Sequence, residues 1–238
     1  MTPGDVRRFS LSVVATLAIT SAALAQTPGD AGRVEADIAA AGGRVLYDDT
    51  AGDRPIVEVV VLNNELTPGD LPSLVTSLAS LPHLRKLTLM SSRIRDDDLQ
   101  HLAPLRQLQD LKLNCHLTGS GVAHLAPLPD LTSLSFVCSG ELTDTALIPL
   151  RSSPKLKRLS LVATPHVTDT GLKLLRHLPA LEELTLKYTS VTSEGLDLLK
   201  ELPALKRVSL VGSSAAPISR ERIDQLAAEL PSCEVTNR

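Results

Sequence analysis

Between Leu84 and Leu105 the apolar positions change period. In LRKLTLMSSRIRDDDLQHLAPL, Leu87 and Leu89 alternate with Lys86, Thr88 and Met90, as in a strand with one buried face. Leu99 and Leu102 then fall three apart, which puts them on one face of a helical turn. The pattern recurs. The frame Leu-x-x-Leu-x-Leu opens at Leu84, Leu108, Leu131, Leu156, Leu181 and Leu205, with steps of 24, 23, 25, 25 and 24 residues. A degenerate copy, IVEVVVLNNELTPGDL, opens at Ile56.

One such coil cannot bury its own apolar strand and helix faces. Stacked coils can, and they build a solenoid with a parallel sheet on the concave side and helices on the convex side. The punctuation fits. Thr168-Asp169 and Thr192-Ser193 precede helical runs, where side-chain oxygens can cap free N–H groups. Pro104, Pro127, Pro154, Pro179 and Pro203 fall where one helix must end before the next strand. The residues three beyond the last strand apolar position are Ser92, His116, Ser139, Thr164, Thr189 and Ser213. This column is expected to form a ladder that satisfies loop backbone groups.

The stretch HVTDTGLKLLRHLPALEELTLKYTSVTSEGLDLLKELPAL resembles the cysteine-containing class of leucine-rich repeats. That class is found in exported bacterial proteins and in the F-box substrate receptors of ubiquitin ligases. The elements VTD-x-GL and L-x-x-L-x-L carry the resemblance over about residues 56 to 217. It implies an α/β solenoid. The family's cysteine column is Ser and Thr here, and no F-box precedes the repeats, so a ubiquitin-ligase role is not implied.

The ends read differently. Arg7 and Arg8 precede an uncharged run from Phe9 to Leu24, and Ala23-Leu24-Ala25 is a small-x-small site, as in a secretory signal peptide. The competing reading, a membrane anchor, needs roughly 20 apolar residues, and this run is shorter and carries Ser and Thr. Expected boundaries are a signal peptide at 1–25, an N-terminal cap of helix and strand at 26–55, six to seven repeats at 56–217 and a C-terminal cap at 218–238. Ile223, Leu226 and Leu230 face inward from that last helix. The resemblance extends to both caps. Cleavage at residue 25 places the protein outside the cytoplasm, periplasmic or secreted, with no membrane span left.

Composition narrows the picture further. Aromatic residues are 2 % of the chain and leucines number 45, so the core is leucine rather than ring. Removing residues 1–25 takes the formal charge from −3 to −4, two cations and one carboxylate being lost. That mild acidity argues against nucleic-acid binding, which needs a basic footprint.

The candidate chemistry is sparse. Cys115 and Cys138 occupy equivalent places in adjacent repeats. Neighbouring strands lie about 4.8 Å apart, within disulfide range, yet equivalent side chains on parallel strands point the same way. Two readings stand: a pair of small buried core residues, or a bridge. Cys233 reads as a buried cap residue. His101 and His124 lie on neighbouring convex helices, too far apart to share a metal. Asp96, Asp97 and Asp98 suit a helix N-terminus. No catalytic motif is present. No metal, cofactor or enzymatic activity is expected.

What remains is the concave face. Its outward columns offer Lys86, Met90, Asp110, Lys112, Asn114, Arg158, Val162, Glu183, Lys187 and Arg207 as candidate contacts for a protein or peptide. The expected function is an exported, non-enzymatic, monomeric binding module. The alternative is a structural or envelope-associated assembly protein that uses its stacking ends or convex surface.

Overall fold

The computed structural model describes residues 31–213 and 218–237. The signal peptide proposed for residues 1–25 lies outside them. The chain forms one nine-stranded sheet whose strands lie in sequence order. After helix α1 (Ala31–Ala40), strand β1 (Gly43–Tyr47) pairs antiparallel with β2 (Ile56–Leu62). Every later pairing is parallel, through β3 (Lys86–Ser91), β4 (Asp110–Cys115), β5 (Ser133–Val137), β6 (Arg158–Val162), β7 (Glu183–Thr189), β8 (Arg207–Ser213) and β9 (Glu234–Thr236). A single α/β leucine-rich repeat solenoid results.

The register aligns the repeat. Val59, Leu87, Leu111, Leu134, Leu159, Leu184 and Val208 form one buried column. Val61, Leu89, Leu113, Phe136, Leu161, Leu186 and Leu210 form the next. Phe136 is the one ring in these columns and is fully buried.

The helical side is tighter than the spacing predicts. Regular α-helix appears in α2 (Leu71–Ala79), α3 (Asp169–Leu175) and the terminal α4 (Arg220–Glu229). The other coils use 3-10 helix, at Asp96–Leu102, Ser120–His124, Asp144–Leu147, Pro149–Ser152 and Gly195–Glu201. A coil of about two dozen residues leaves only four to seven for this return path. The tighter helix is favoured in such short pieces, where its poorer hydrogen bonds are few.

Neighbouring coils are clamped by a device built from the Thr-Asp-x-Gly motif. Asp144 accepts from the backbone N–H and hydroxyl of Thr168, at 2.7 and 2.6 Å. Asp169 does the same to Thr192, at 2.9 and 2.7 Å. Each carboxylate rests against a glycine of the next coil, Gly171 or Gly195, where a Cβ would collide with it. Between two inner coils both halves of the motif change. Gly119 stands in the aspartate's place, and Ala146 stands in the glycine's; a Cβ on Gly119 would come within 2.5 Å of the Ala146 Cβ.

Asp96 is a correction to the simple helix-start reading. It lies in the first turn of its 3-10 helix, but its carboxylate reaches the next coil. It accepts from Thr118 N, Thr118 Oγ1, Gly119 N and Gly121 N at 2.8 to 3.0 Å. Burial pushes its carboxyl up, but these donors outweigh burial and hold it below the usual carboxylate range.

At the far end, α4 caps the stack. Ile223 and Leu226 are buried and Leu230 packs at the margin of the core. Arg222 donates to Ser193 O at 3.2 Å and to Asp197 at 2.9 Å, meeting the last coil where the motif carries Ser in place of Asp. Cys233 is buried in this cap.

Candidate functional site

The helices cover one face of the sheet, and the strand positions between the buried columns face outward. All ten candidate residues fall on that open face, in three register-aligned columns. The first column reads Glu58, Lys86, Asp110, Ser133, Arg158, Glu183, Arg207, Glu234. The second holds Val60, Thr88, Lys112, Ser135, Ser160, Thr185, Ser209 and Thr236. The third holds Leu62, Met90, Asn114, Val137, Val162, Lys187 and Val211.

Parallel stacking turns the first column into an ionic ladder. Lys86 pairs with Glu58 at 3.7 Å. Arg158 reaches over the buried Ser133 to Asp110, also at 3.7 Å. Arg207 pairs with Glu183 on the adjoining strand. Lys86, Asp110, Arg158, Glu183 and Arg207 therefore satisfy one another or Glu58. Such exposed pairs add about 0–1 kcal/mol each. They leave these groups less available to a ligand than their side-chain type suggests. Lys112 and Lys187 form no ion pair among the described residues.

The third column ends in a conformational switch between coils. The residue two beyond the last inward strand position is buried in the early coils, as Ser91 and Cys115. In the later coils the equivalent residues, Cys138, Ala163, Tyr188 and Gly212, are left-handed, with φ of 54° to 55°. Each adds one residue to the strand end, as a bulge does. The buried position then passes to Ser139, Thr164 and Thr189. The expected column is thus buried only in the later coils, where Ser139 bonds a backbone carbonyl and the Thr164 hydroxyl has no partner among the described residues. Ser92 and His116 are exposed, and Ser91 and Cys115 take their place. Ser91 Oγ donates to Leu66 O at 2.9 Å, and Ser139 Oγ to Cys115 O at 3.1 Å.

The same switch decides the cysteines. All three are free. Cys115 is buried, and burial pushes its thiol up to about 11. Cys138 is exposed, which corrects the reading of two buried core residues. The bridge between them is not formed, because the left-handed turn places Ser139, not Cys138, beneath the strand beside Cys115. Both cysteines border a shallow hollow of about 250 Å³ with Met90, Asn114 and His116.

Tyr188 was not singled out by periodicity. It sits at the end of β7, 55 % exposed, with its ring against Gly212. Its position follows an inward leucine by two, so alternation alone assigns it to the core. Only the left-handed backbone brings it out.

Among the described residues, no three His, Cys, Asp or Glu side chains gather around a metal position, and no helix is long and apolar enough to cross a membrane.

No protein-family model matches the chain, and no curated protein matches it. Among solved structures, a chain of the TLR13–ssRNA13 complex is similar at a TM-score of 0.46 and 18 % identity, over 73 % of this chain and 27 % of that one. This chain thus spans about a quarter of that chain's length. The leucine-rich repeat fold of this protein rests on its own register and burial.

Proposed function

We propose that this protein is an exported, non-enzymatic leucine-rich repeat module that binds a protein or peptide on the open face of its sheet. The observation that carries this reading is Tyr188. An exposed aromatic residue is held at the strand end by a backbone conformation unfavourable for a bulky side chain. Aromatic side chains dominate binding hot spots. Lys187 precedes Tyr188 on the open face, and the register sets Lys187 between Val162 and Val211. Export rests on the n-region, apolar run and small-x-small site of residues 1–25. N-terminal sequencing of the protein recovered outside the cytoplasm is expected to begin at Gln26.

The binding reading is tested by isolating a partner on immobilised protein and repeating the measurement with Tyr188→Ser. Loss of that partner supports the open face, provided the variant unfolds at the same urea midpoint. Retention at full affinity counts against it.

One observation favours the alternative, an assembly protein. Ile148 is 41 % exposed on the helical side, where it borders a shallow hollow with Ala126, Pro127 and Pro149. Concentration-dependent self-association that disappears in Ile148→Glu would move the interface to that side.

A further inference from the structure

The open face is unlike the rest of the chain in charge. The whole chain carries a formal charge of −3. The outward positions of β1 to β9 hold six cations against four carboxylates. Three of those carboxylates, Glu58, Asp110 and Glu183, already hold Lys86, Arg158 and Arg207. The surplus is therefore positive and concentrated on cations that pair with no carboxylate among the described residues, chiefly Lys112 and Lys187.

Their placement is specific. Lys112 lies in the middle column of β4, and Lys187 lies in the third column of β7. Three strand spacings and a two-residue offset separate them by about 16 Å. Between them lie the hydroxyls of Ser135 and Ser160 and the apolar Val137 and Val162. An extended chain advances about 3.3 Å per residue, so it crosses that gap in four to five residues. Tyr188 stands beside Lys187 at the end of this track.

We infer that the open face takes an acidic, extended peptide segment. Two of its carboxylates, four to five residues apart, meet Lys112 and Lys187, and apolar side chains between them lie on Val137 and Val162 with Tyr188 as the anchor. This inference rests on the open-face reading above and adds the chemical class of the partner. The paired first column contributes by exclusion: a basic segment finds three of its four carboxylates already occupied and meets the unpaired lysines as like charges.

The test is selection of a displayed random twelve-residue peptide library on the full protein. Enriched peptides are then measured by fluorescence anisotropy against three variants. These are Lys112→Glu/Lys187→Glu, Tyr188→Ser with Val162→Asp, and Lys173→Glu on the exposed helical side. The expected result is enrichment of peptides with net negative charge, whose affinity falls about tenfold or more in the double lysine variant. It falls also as salt is raised, and it is unchanged in Lys173→Glu. Neutral or basic peptides that still depend on Tyr188 and Val162 overturn the acidic class and leave the open face standing. Peptides indifferent to both open-face variants overturn the face as well, and so does a library that yields no binder.

Discussion

The carboxylate of Asp169 occupies the space that a side chain on Gly195 would fill, 26 positions along the chain and one coil away. It spends both oxygens on Thr192, accepting from its N–H at 2.9 Å and its hydroxyl at 2.7 Å. Asp144 stands in the same relation to Gly171 and Thr168. The three residue types are therefore one interlocking unit, which explains why Gly119 and Ala146 depart from it together.

Gly195→Ala is expected to destabilise the protein by about 2–3 kcal/mol, because the new methyl group expels a carboxylate that holds charge-assisted hydrogen bonds. Asp169→Ala removes the same bonds. The double variant is expected to lose less than the sum of the two, since the second change finds nothing left to break. Urea unfolding of the four proteins measures the coupling, and strict additivity would sink the interlock.

Asp96 gives the protein an acid-sensitive joint. Its folded-state carboxyl lies below the ordinary range, because the Thr118, Gly119 and Gly121 donors overcome the effect of burial. Its contribution is thus fully present above the unfolded-state value of about 4, and it is lost as pH falls through the lower folded value. Asp96→Asn is expected to be less stable at pH 7 and to show a shallower loss of stability between about pH 4 and pH 2. Parallel slopes for the two proteins over that window would refute the assignment.

The left-handed strand ends make opposite predictions for two members of one column. Ala163, at φ 54°, carries a Cβ where the conformation disfavours one. Ala163→Gly is expected to gain about 0.5–1 kcal/mol. Gly212→Ala introduces the same strain and presses a Cβ to 3.0 Å from the Tyr188 ring, for a loss of about 1 kcal/mol or more. Thermal unfolding of both variants checks the pair, and shifts of the same sign would contradict it.

Thiol chemistry reports the same switch. In the folded protein one cysteine, Cys138, is expected to react rapidly with a disulfide reagent, while Cys115 and Cys233 react only on unfolding. Cys138→Ser removes the fast phase. Two fast thiols in the native protein would mean that the strand end at Cys115 opens as well.

The repeating strand and the direction of its leucines were legible in the sequence, because period-two burial is a local property. Leu87 and Leu89 point inward for the same reason in any coil that stacks, and the register of the sheet follows from the step of the repeat. The terminal helix at Ile223 and Leu226 could be read in the same way. The interlock of Asp169 with Gly195 could not, because it exists only when one coil lies on the next. Nothing in either coil alone says that a carboxylate will fill the space left by a glycine. Nor could the sequence say which polar residues stay available. Arg158 and Glu183 look as free as Lys112 and Lys187 until parallel stacking sets Arg158 near Asp110 and Glu183 beside Arg207. Cys115 and Cys138, equivalent by count, differ because the backbone turns left-handed at one and stays extended at the other. The same turn takes Tyr188 out of the core that alternation assigned it and leaves it exposed at the strand end beside Gly212. Local periodicity determined what is buried; contacts between coils decided what is exposed and what is already paired.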